Sequence, residues 1–430
     1  MSTHLASGPP PQATPWLSAA QCQVADLDQW AQTATQLQDY SMASHIAHGV
    51  PVYDGATLRQ QQAASVQPEQ WRKALMAEWA QVWSKGPGVL VVQGLYPDCA
   101  VVDAATQEFQ RLIEVARAAG QAGDHFAKPG ANDRVWNALE KLCLQAPDVF
   151  AAYYGNAMLA TVCEAWLGPG YQVTSQINCV NPGGQAQVAH RDYHLGFFDA
   201  QGAERFPAHV HALSPMLTLQ GAIAHVDMPL ESGPTLYLPH SHKYTSGYLV
   251  SGVPAFQAYF DAHHVQLPLR KGDGIFFNPA LLHAAGHNRS NNIRRMANLL
   301  QVSSAFGRCM EAIDRVGMAQ ALYPSLLWLK SSNTMDAADL AAASSAICFS
   351  RSKCSCAATS ACNVRSRSAS SRAARLRRRR SDQGAVPGSA RAADRRLEHV
   401  AGTHRRPVQR ALRGRPDLRL SGAQRAATEH

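Results

Sequence analysis

The chain has 430 residues, enough for one large domain or two ordinary ones. Its ten cysteines include no C-x-x-C pair, which argues against a disulfide framework or a zinc ribbon and for the reduced thiols of a cytoplasmic protein. The net charge of +9 is lopsided: residues 351–430 carry 19 Arg and one Lys against five acids, whereas residues 1–350 carry 20 basic and 26 acidic residues, so the body of the chain has no electrostatic footprint for nucleic acid. The start of the chain lacks a basic and apolar leader, and no run of about eighteen apolar residues occurs, so neither a secretory signal nor a membrane span is expected.

Residues 1–67 read as an N-terminal extension, partly mobile, with a Pro/Ser/Ala-rich start and uneven helical patches such as 24–37. From Pro68 the pattern firms up. Residues 70–85 place Trp71, Leu75, Trp79 and Val82 on one helical stripe. Gly88-Val-Leu-Val-Val92 is a short apolar run that reads as a buried strand. Residues 101–119 put Val102, Ala105, Phe109, Leu112, Ile113 and Ala116 on one helix face. Residues 120–133 form a polar Gly/Pro loop with His125 and Lys128, either solvated or a rim over a pocket. Residues 134–144 and 146–166 read as two helices, the second stopped by Gly168-Pro169-Gly170.

Residues 171–181 alternate as a strand with Gln176 and Asn178 on one face. That pair is either a satisfied row of amides or a contact to a cosubstrate or substrate. Pro182-Gly183-Gly184 turns the chain into Gln187-Val-Ala-His190-Arg-Asp192-Tyr-His194. On an extended strand His190 and Asp192 share a face and Arg191 points away. Residues 198–215, with His209 and His211, read as a polar excursion. Strands follow at 216–226 and 235–238, a loop at Ser241-His-Lys243, a helix at 252–264 and a strand at 265–269. After the Lys271-Gly-Asp-Gly274 turn, an apolar run ends at His283, and residues 294–303 alternate again. Arg294 and Arg295 fall on opposite faces of that strand, so only one can point at a bound ligand. Residues 308–329 read as a capping helix. Short strands with Gly/Pro turns and flanking helices predict a mainly β fold with flanking helices (α+β), a double-stranded β-helix of the jelly-roll or cupin kind.

With 18 His and 31 acids, an H-x-D tripeptide alone is a weak metal signal. His283 and Arg294 strengthen it. His190, Asp192 and His283 would occupy one face of an octahedral metal and leave the other positions for a chelating cosubstrate and dioxygen, which is the arrangement of non-haem Fe(II) oxygenases. His194 shares the strand face, but the two-His, one-carboxylate set is complete without it, so it is read as a neighbour of the set. Arg294, eleven residues after His283, offers a planar fork for the far carboxylate of a keto-diacid.

At these residues the chain resembles the phytanoyl-CoA dioxygenase family of Fe(II)/2-oxoglutarate oxygenases. His283, Asn288, Ser290 and Arg294 stand at the spacings of that family's second motif. Glu231-Ser-Gly233-Pro234-Thr-Leu-Tyr-Leu-Pro239-His240-Ser241-His242 follows its connecting stretch, with His240 in place of the usual Gly. Gly272-Asp273 matches the turn before the strand to the distal His. The resemblance spans residues 70–330 or so and implies an oxygenase domain over 68–335 with Fe(II) held by His190, Asp192 and His283. It implies 2-oxoglutarate bound by Arg294 and Ser290; Gln176 and Asn178, from their shared strand face, are further candidates. It implies dioxygen and a small-molecule substrate, and release of succinate and carbon dioxide. Because Asp192 fills the position that halogenases of this fold leave open for chloride, hydroxylation or desaturation is expected.

The competing reading is a jelly-roll isomerase or binding protein without 2-oxoglutarate, which has no need for Arg294 in its Asn-x-Ser-x-x-x-Arg context. Residues 336–430 read as a disordered Arg/Ala/Ser-rich tail, and 351–430 contain no Phe, Tyr, Trp, Ile or Met to bury. The tail is either a basic segment for nucleic acid or anionic lipid, or protein translated out of frame.

Overall fold

Alternation along short strands sets the layers. In the computed structural model, which describes residues 16–118, 130–194 and 196–347, Val89 and Val91 pack into one core and Leu90 and Val92 into another. Successive side chains on a strand point to opposite faces, so one strand serves two cores. The strands in chain order are β1 (His45–Ala47), β2 (Val50–Asp54), β3 (Val89–Gln93), β4 (Asn132–Val135), β5 (Gln172–Val180), β6 (Asp192–Tyr193), β7 (Gly196–Phe197), β8 (Thr218–Ala224), β9 (Leu236–Tyr237), β10 (Val265–Gln266), β11 (Gly274–Phe277), β12 (His283–Ala284) and β13 (Arg295–Ser303). Eight of them form a sheet of order β1-β2-β3-β11-β8-β13-β5-β4, antiparallel except where β2 lies beside β3. A second sheet has the order β10-β9-β12, and β6 pairs with β7 as a ribbon.

One face of the large sheet, with Leu90, Val92, Phe276, Ile223, Leu300 and Ile177, packs on helices Pro68–Ser84, Cys99–Ala118, Ala138–Gln145, Pro147–Tyr154 and Ala157–Leu167. The other face, with Val52, Val91, Ala222, Ile275, Phe277, Ala297 and Leu299, packs on Tyr237, Leu267 and Leu281 of the small-sheet side. The fold is thus mixed, with a helical layer, a large sheet and a small sheet. Gly272, at φ +89, makes the turn into β11, and the Asp273 carboxylate braces it by accepting from Gly94 N at 2.7 Å and Arg270 N at 2.8 Å.

The folded body runs past the expected 68–335 limits at both ends. Residues 16–67 are more than an extension: β1 and β2 belong to the large sheet, with Val52 opposite Val91, and Tyr53 is fully buried. The parallel β2–β3 pair needs a crossover, which the helices Gly55–Ala64 and Pro68–Ser84 supply. At the other end, Ala337–Ser345 is a helix where the composition had suggested disorder. Asp336 caps it by accepting from Asp339 N at 2.8 Å, Ala342 and Ala343 are buried, and the Asp339 carboxylate accepts from Ala157 N at 2.9 Å. Alanine is a good helix former and lets helices approach closely, which an apolar count misses.

Three local readings also shift. The single helix expected over 146–166 is two, broken at Gly155-Asn156, where the Asn156 side chain caps the second. The helix expected from Arg134 starts at Ala138, because Asn132–Val135 pairs with β5. The polar excursion at 198–215 contains two short helices, and His211 is buried with its Nδ1 against Tyr193 Oη at 2.5 Å. The loop residues His125 and Lys128, residues 1–15, and the tail beyond residue 347 lie outside the described residues.

Behind the sheet, His225 is buried between Thr106 Oγ1 and Tyr153 Oη, both at 2.8 Å, and joins two helices to the end of β8. Burial pushes His225 down to about 3 and His242 likewise to about 3, so both are neutral in the folded state. An unfolded chain therefore takes up protons that the folded one refuses between the ordinary histidine value and about 3. Stability is expected to fall as pH drops through that window, and His225→Gln, which keeps polar groups without titrating there, should flatten the fall. Urea unfolding at a series of pH values from about 4 to 8 measures it; an unchanged slope in His225→Gln would contradict this account.

Candidate metal centre

His190 and His283 face each other across an antiparallel bridge. His190 N donates to His283 O and His283 N donates to His190 O, each at 3.0 Å. Directly opposed residues put their side chains on the same face, so the two rings lie side by side with centroids 4.5 Å apart. Asp192, two residues on, is fixed by Asp192 N donating to Pro279 O at 3.1 Å. One donor atom from each of His190, Asp192 and His283 lies within 4.8 Å of the others. His190 Nε2 is 4.0 Å from Asp192 Oδ1, and His283 Nε2 is 3.7 Å from Asp192 Oδ2.

The hydrogen bonds around the two rings set the tautomer of the neutral imidazole. His190 Nδ1 faces Val188 O and His283 Nδ1 faces Leu281 O, both at 2.9 Å. A carbonyl only accepts, so each Nδ1 carries the proton and each Nε2 lone pair is left for a cation. Burial pushes His283 down, which keeps it neutral. Gln220 Nε2 donates to Asp192 Oδ2 at 2.6 Å and orients the carboxylate. Phe277 and Phe197 flank the centre, with ring centroids 4.8 Å from His283 and 5.8 Å from His190. Two imidazole nitrogens and one carboxylate suit a divalent cation of the iron group.

Gln220 was not singled out in the sequence reading. The signal was there: β8 alternates, and Gln220 lies opposite Phe277 on the inward face of the sheet. His194 stays outside the set as expected, with Nδ1 on Thr218 Oγ1 at 2.6 Å.

The clamp expected at Arg294 is not where the structure puts an inward guanidinium. Arg294 is half-exposed and turned outward, with Nε on Asn181 Oδ1 at 3.1 Å and Nη2 3.5 Å from Asp133 Oδ2. Arg295 is the buried one, on the inward face with Ala297 and Leu299. Its Nη1 makes two long bonds, to Gly286 O at 3.3 Å and Ser232 O at 3.4 Å, and among the described residues no carboxylate pairs with it. Burial pushes it down to about 10. Ser290 is also engaged elsewhere: its Oγ donates to Asn288 Oδ1 at 2.6 Å, and Asn288 Nδ2 donates to Val180 O and Ile293 O. The Asn-x-Ser pair thus builds the turn between His283 and β13. Gly233, at φ +73, lies so close to that turn that a Cβ would be 2.3 Å from His287 O. Gln176 and Asn178 do face inward together; Gln176 Oε1 accepts from Arg134 Nη1 at 2.7 Å, and Asn178 Oδ1 is buried without a partner among the described residues.

Residues 85–296 match the family model for phytanoyl-CoA dioxygenase (PhyH), and this stretch of the chain belongs to that family. The protein is accordingly an enzyme of the 2-oxoglutarate-dependent oxygenase superfamily, with Fe(II) and 2-oxoglutarate as its cofactors. Among solved structures it is similar to the non-haem α-ketoglutarate-dependent epimerase SnoN of nogalamycin biosynthesis (18% identity, 54% of this chain and 82% of that one, TM-score 0.38). It is similar also to the carbocyclase SnoK of the same biosynthesis (19%, 53% and 83%, TM-score 0.39). A third is HygX from Streptomyces hygroscopicus, with nickel and 2-oxoglutarate bound (15%, 53% and 87%, TM-score 0.37). No curated protein matches. Among the described residues no helix is long and apolar enough to cross a membrane.

Gln220→Leu removes the donor that orients Asp192 and keeps the volume. It is expected to weaken binding of a divalent cation by roughly 10- to 100-fold, the usual effect of losing a partner behind a ligand. Calorimetric titration with Co(II) checks this; wild-type affinity in the variant would show that the hydrogen bond is idle.

Proposed function

We propose that the protein is an Fe(II)- and 2-oxoglutarate-dependent dioxygenase that hydroxylates a small molecule, built on a double-stranded β-helix of the two sheets and spanning at least residues 16–347. The observation that carries this reading is the convergence of His190 Nε2, His283 Nε2 and the Asp192 carboxylate, with both histidine tautomers fixed for ligation. These three residues hold Fe(II). Fe(II) with 2-oxoglutarate and dioxygen supplies an oxidant able to break a substrate C–H bond, with succinate and carbon dioxide as by-products. The chain's own residues hold the ligands in place, orient the cosubstrate and exclude water.

Arg295 takes the role first assigned to Arg294. A guanidinium buried without a counter-charge is costly, and the distal carboxylate of 2-oxoglutarate relieves that cost by a charge-assisted fork. Ser290 supports the turn that presents Arg295. Asn178, with its unpartnered inward carbonyl, is the stronger of the two amides for contact with the cosubstrate or substrate. The six described cysteines are free, which suits a reducing compartment, and the cytoplasm is the proposed location.

Arg295→Ala is expected to weaken 2-oxoglutarate binding by on the order of 3 kcal/mol, about a hundredfold, while Arg294→Ala changes it little. Titration of the two metal-loaded variants separates them, and the reverse ranking would return the role to Arg294. The reaction itself is tested by succinate release across a substrate panel, with mass spectrometry of the products in excess chloride. Asp192 fills the position a halide would need, so the expected product gains oxygen and no chlorine, and Asp192→Ala loses most activity. A chlorinated product, or full activity in Asp192→Ala, would sink the assignment.

A further inference from the structure

Arg191 stands between two of the three residues that converge on the metal centre, and its side chain runs away from that centre. It is nevertheless buried, only 3% exposed. Nη1 donates to Tyr244 O at 2.9 Å and Nη2 donates to Ser241 O. The guanidinium carbon sits 5.5 Å from the centre of the Tyr248 ring. Gly247 closes over it so tightly that a Cβ there would fall 1.8 Å from Arg191 Cζ. Among the described residues no carboxylate pairs with this guanidinium. An apolar side chain would fill the space without the desolvation cost of a buried charge. What the guanidinium adds is direction, because its planar fork fixes two donors on two carbonyls of one loop.

Ser241 makes the other half of the connection. Its Oγ accepts from Leu282 N at 2.8 Å, and Leu282 immediately precedes His283. The same loop returns to the first segment through Tyr248, whose Oη donates to Asp192 O at 3.3 Å and whose ring stacks on Tyr193 with centroids 4.1 Å apart. A single residue, Ser241, is therefore tied by its carbonyl to the His190-Arg191-Asp192 segment and by its hydroxyl to the segment of His283.

We propose that Arg191 and Ser241 are positioning residues: the buried Arg191–Ser241–Leu282 chain fixes the segment of His190 and Asp192 against that of His283 from behind and so sets the geometry of the metal centre. The proposal rests on the reading of His190, Asp192 and His283 as the ligands. It gives the residue between the two ligands, and the serine of the connecting stretch, a function in ligand geometry rather than in cosubstrate contact.

The test uses the full chain loaded with Co(II), whose visible absorption reports ligand geometry without turnover. Wild type, Asp192→Ala, Arg191→Met, Arg191→Lys and Ser241→Ala are compared for circular dichroism, Co(II) affinity and the absorption band. Arg191→Met and Ser241→Ala are expected to keep the wild-type circular dichroism, to bind Co(II) roughly tenfold or more weakly, and to shift the band. Arg191→Lys, which keeps the charge but reaches one carbonyl, is expected to fall between. A folded Arg191→Met with wild-type affinity and band overturns the proposal. Should Arg191→Met not fold, the same result in Ser241→Ala overturns it. Asp192→Ala tests the underlying reading separately. Co(II) binding unchanged in Asp192→Ala, or absent from the wild type, overturns the ligand assignment and this proposal with it.

Discussion

The reciprocal pair of backbone hydrogen bonds between His190 and His283 is the constraint on which the candidate metal centre depends. It brings together residues more than ninety positions apart and opposes their side chains on one face. Everything else at the centre follows from that register. Asp192 lands beside the two rings because it is two residues on, and Gln220 reaches it because β8 lies in the large sheet opposite. A slip of one residue would turn both imidazoles to the other side of the chain.

His190 and His283 each give their Nδ1 proton to a carbonyl two residues back, and the same backbone that positions the ring also fixes its tautomer. Arg191 and Arg295 are both buried without a carboxylate among the described residues, yet their situations differ. Arg191 has short bonds to two carbonyls and a tyrosine face, so it belongs to the scaffold. Among the described residues Arg295 has only two long bonds, to Ser232 O and Gly286 O.

The large sheet supports this centre from behind. Its helix-side face is closed by aromatic packing, with Trp79, Trp83, Tyr153 and Phe109 fully buried, and Trp83 Nε1 donating to Phe276 O at 3.1 Å in β11. β11 also carries Phe277, which flanks His283 from the inward face. The N-terminal strands and the C-terminal helix complete the same body, so the catalytic family's span of 85–296 is embedded in a larger fold.

The sequence by itself determined the local chemistry and the periods. The H-x-D tripeptide, the distal His283, the strands at 88–92 and 172–180, and the main helices were legible because period and spacing are properties of neighbouring residues. Which of Arg294 and Arg295 faces inward was not legible, because the two differ only in parity. Parity is set by pairing Arg295 with Val180 and by the turn that Asn288 and Ser290 brace. The place of β1 and β2 was hidden for a similar reason: a short strand gains its stability from the neighbour it pairs with, and β3 lies some forty residues away. Gln220 and Ser241 read as ordinary strand and loop residues. Only the tertiary structure, by folding β8 and the loop after β9 onto the two histidine segments, gave each of them a partner there.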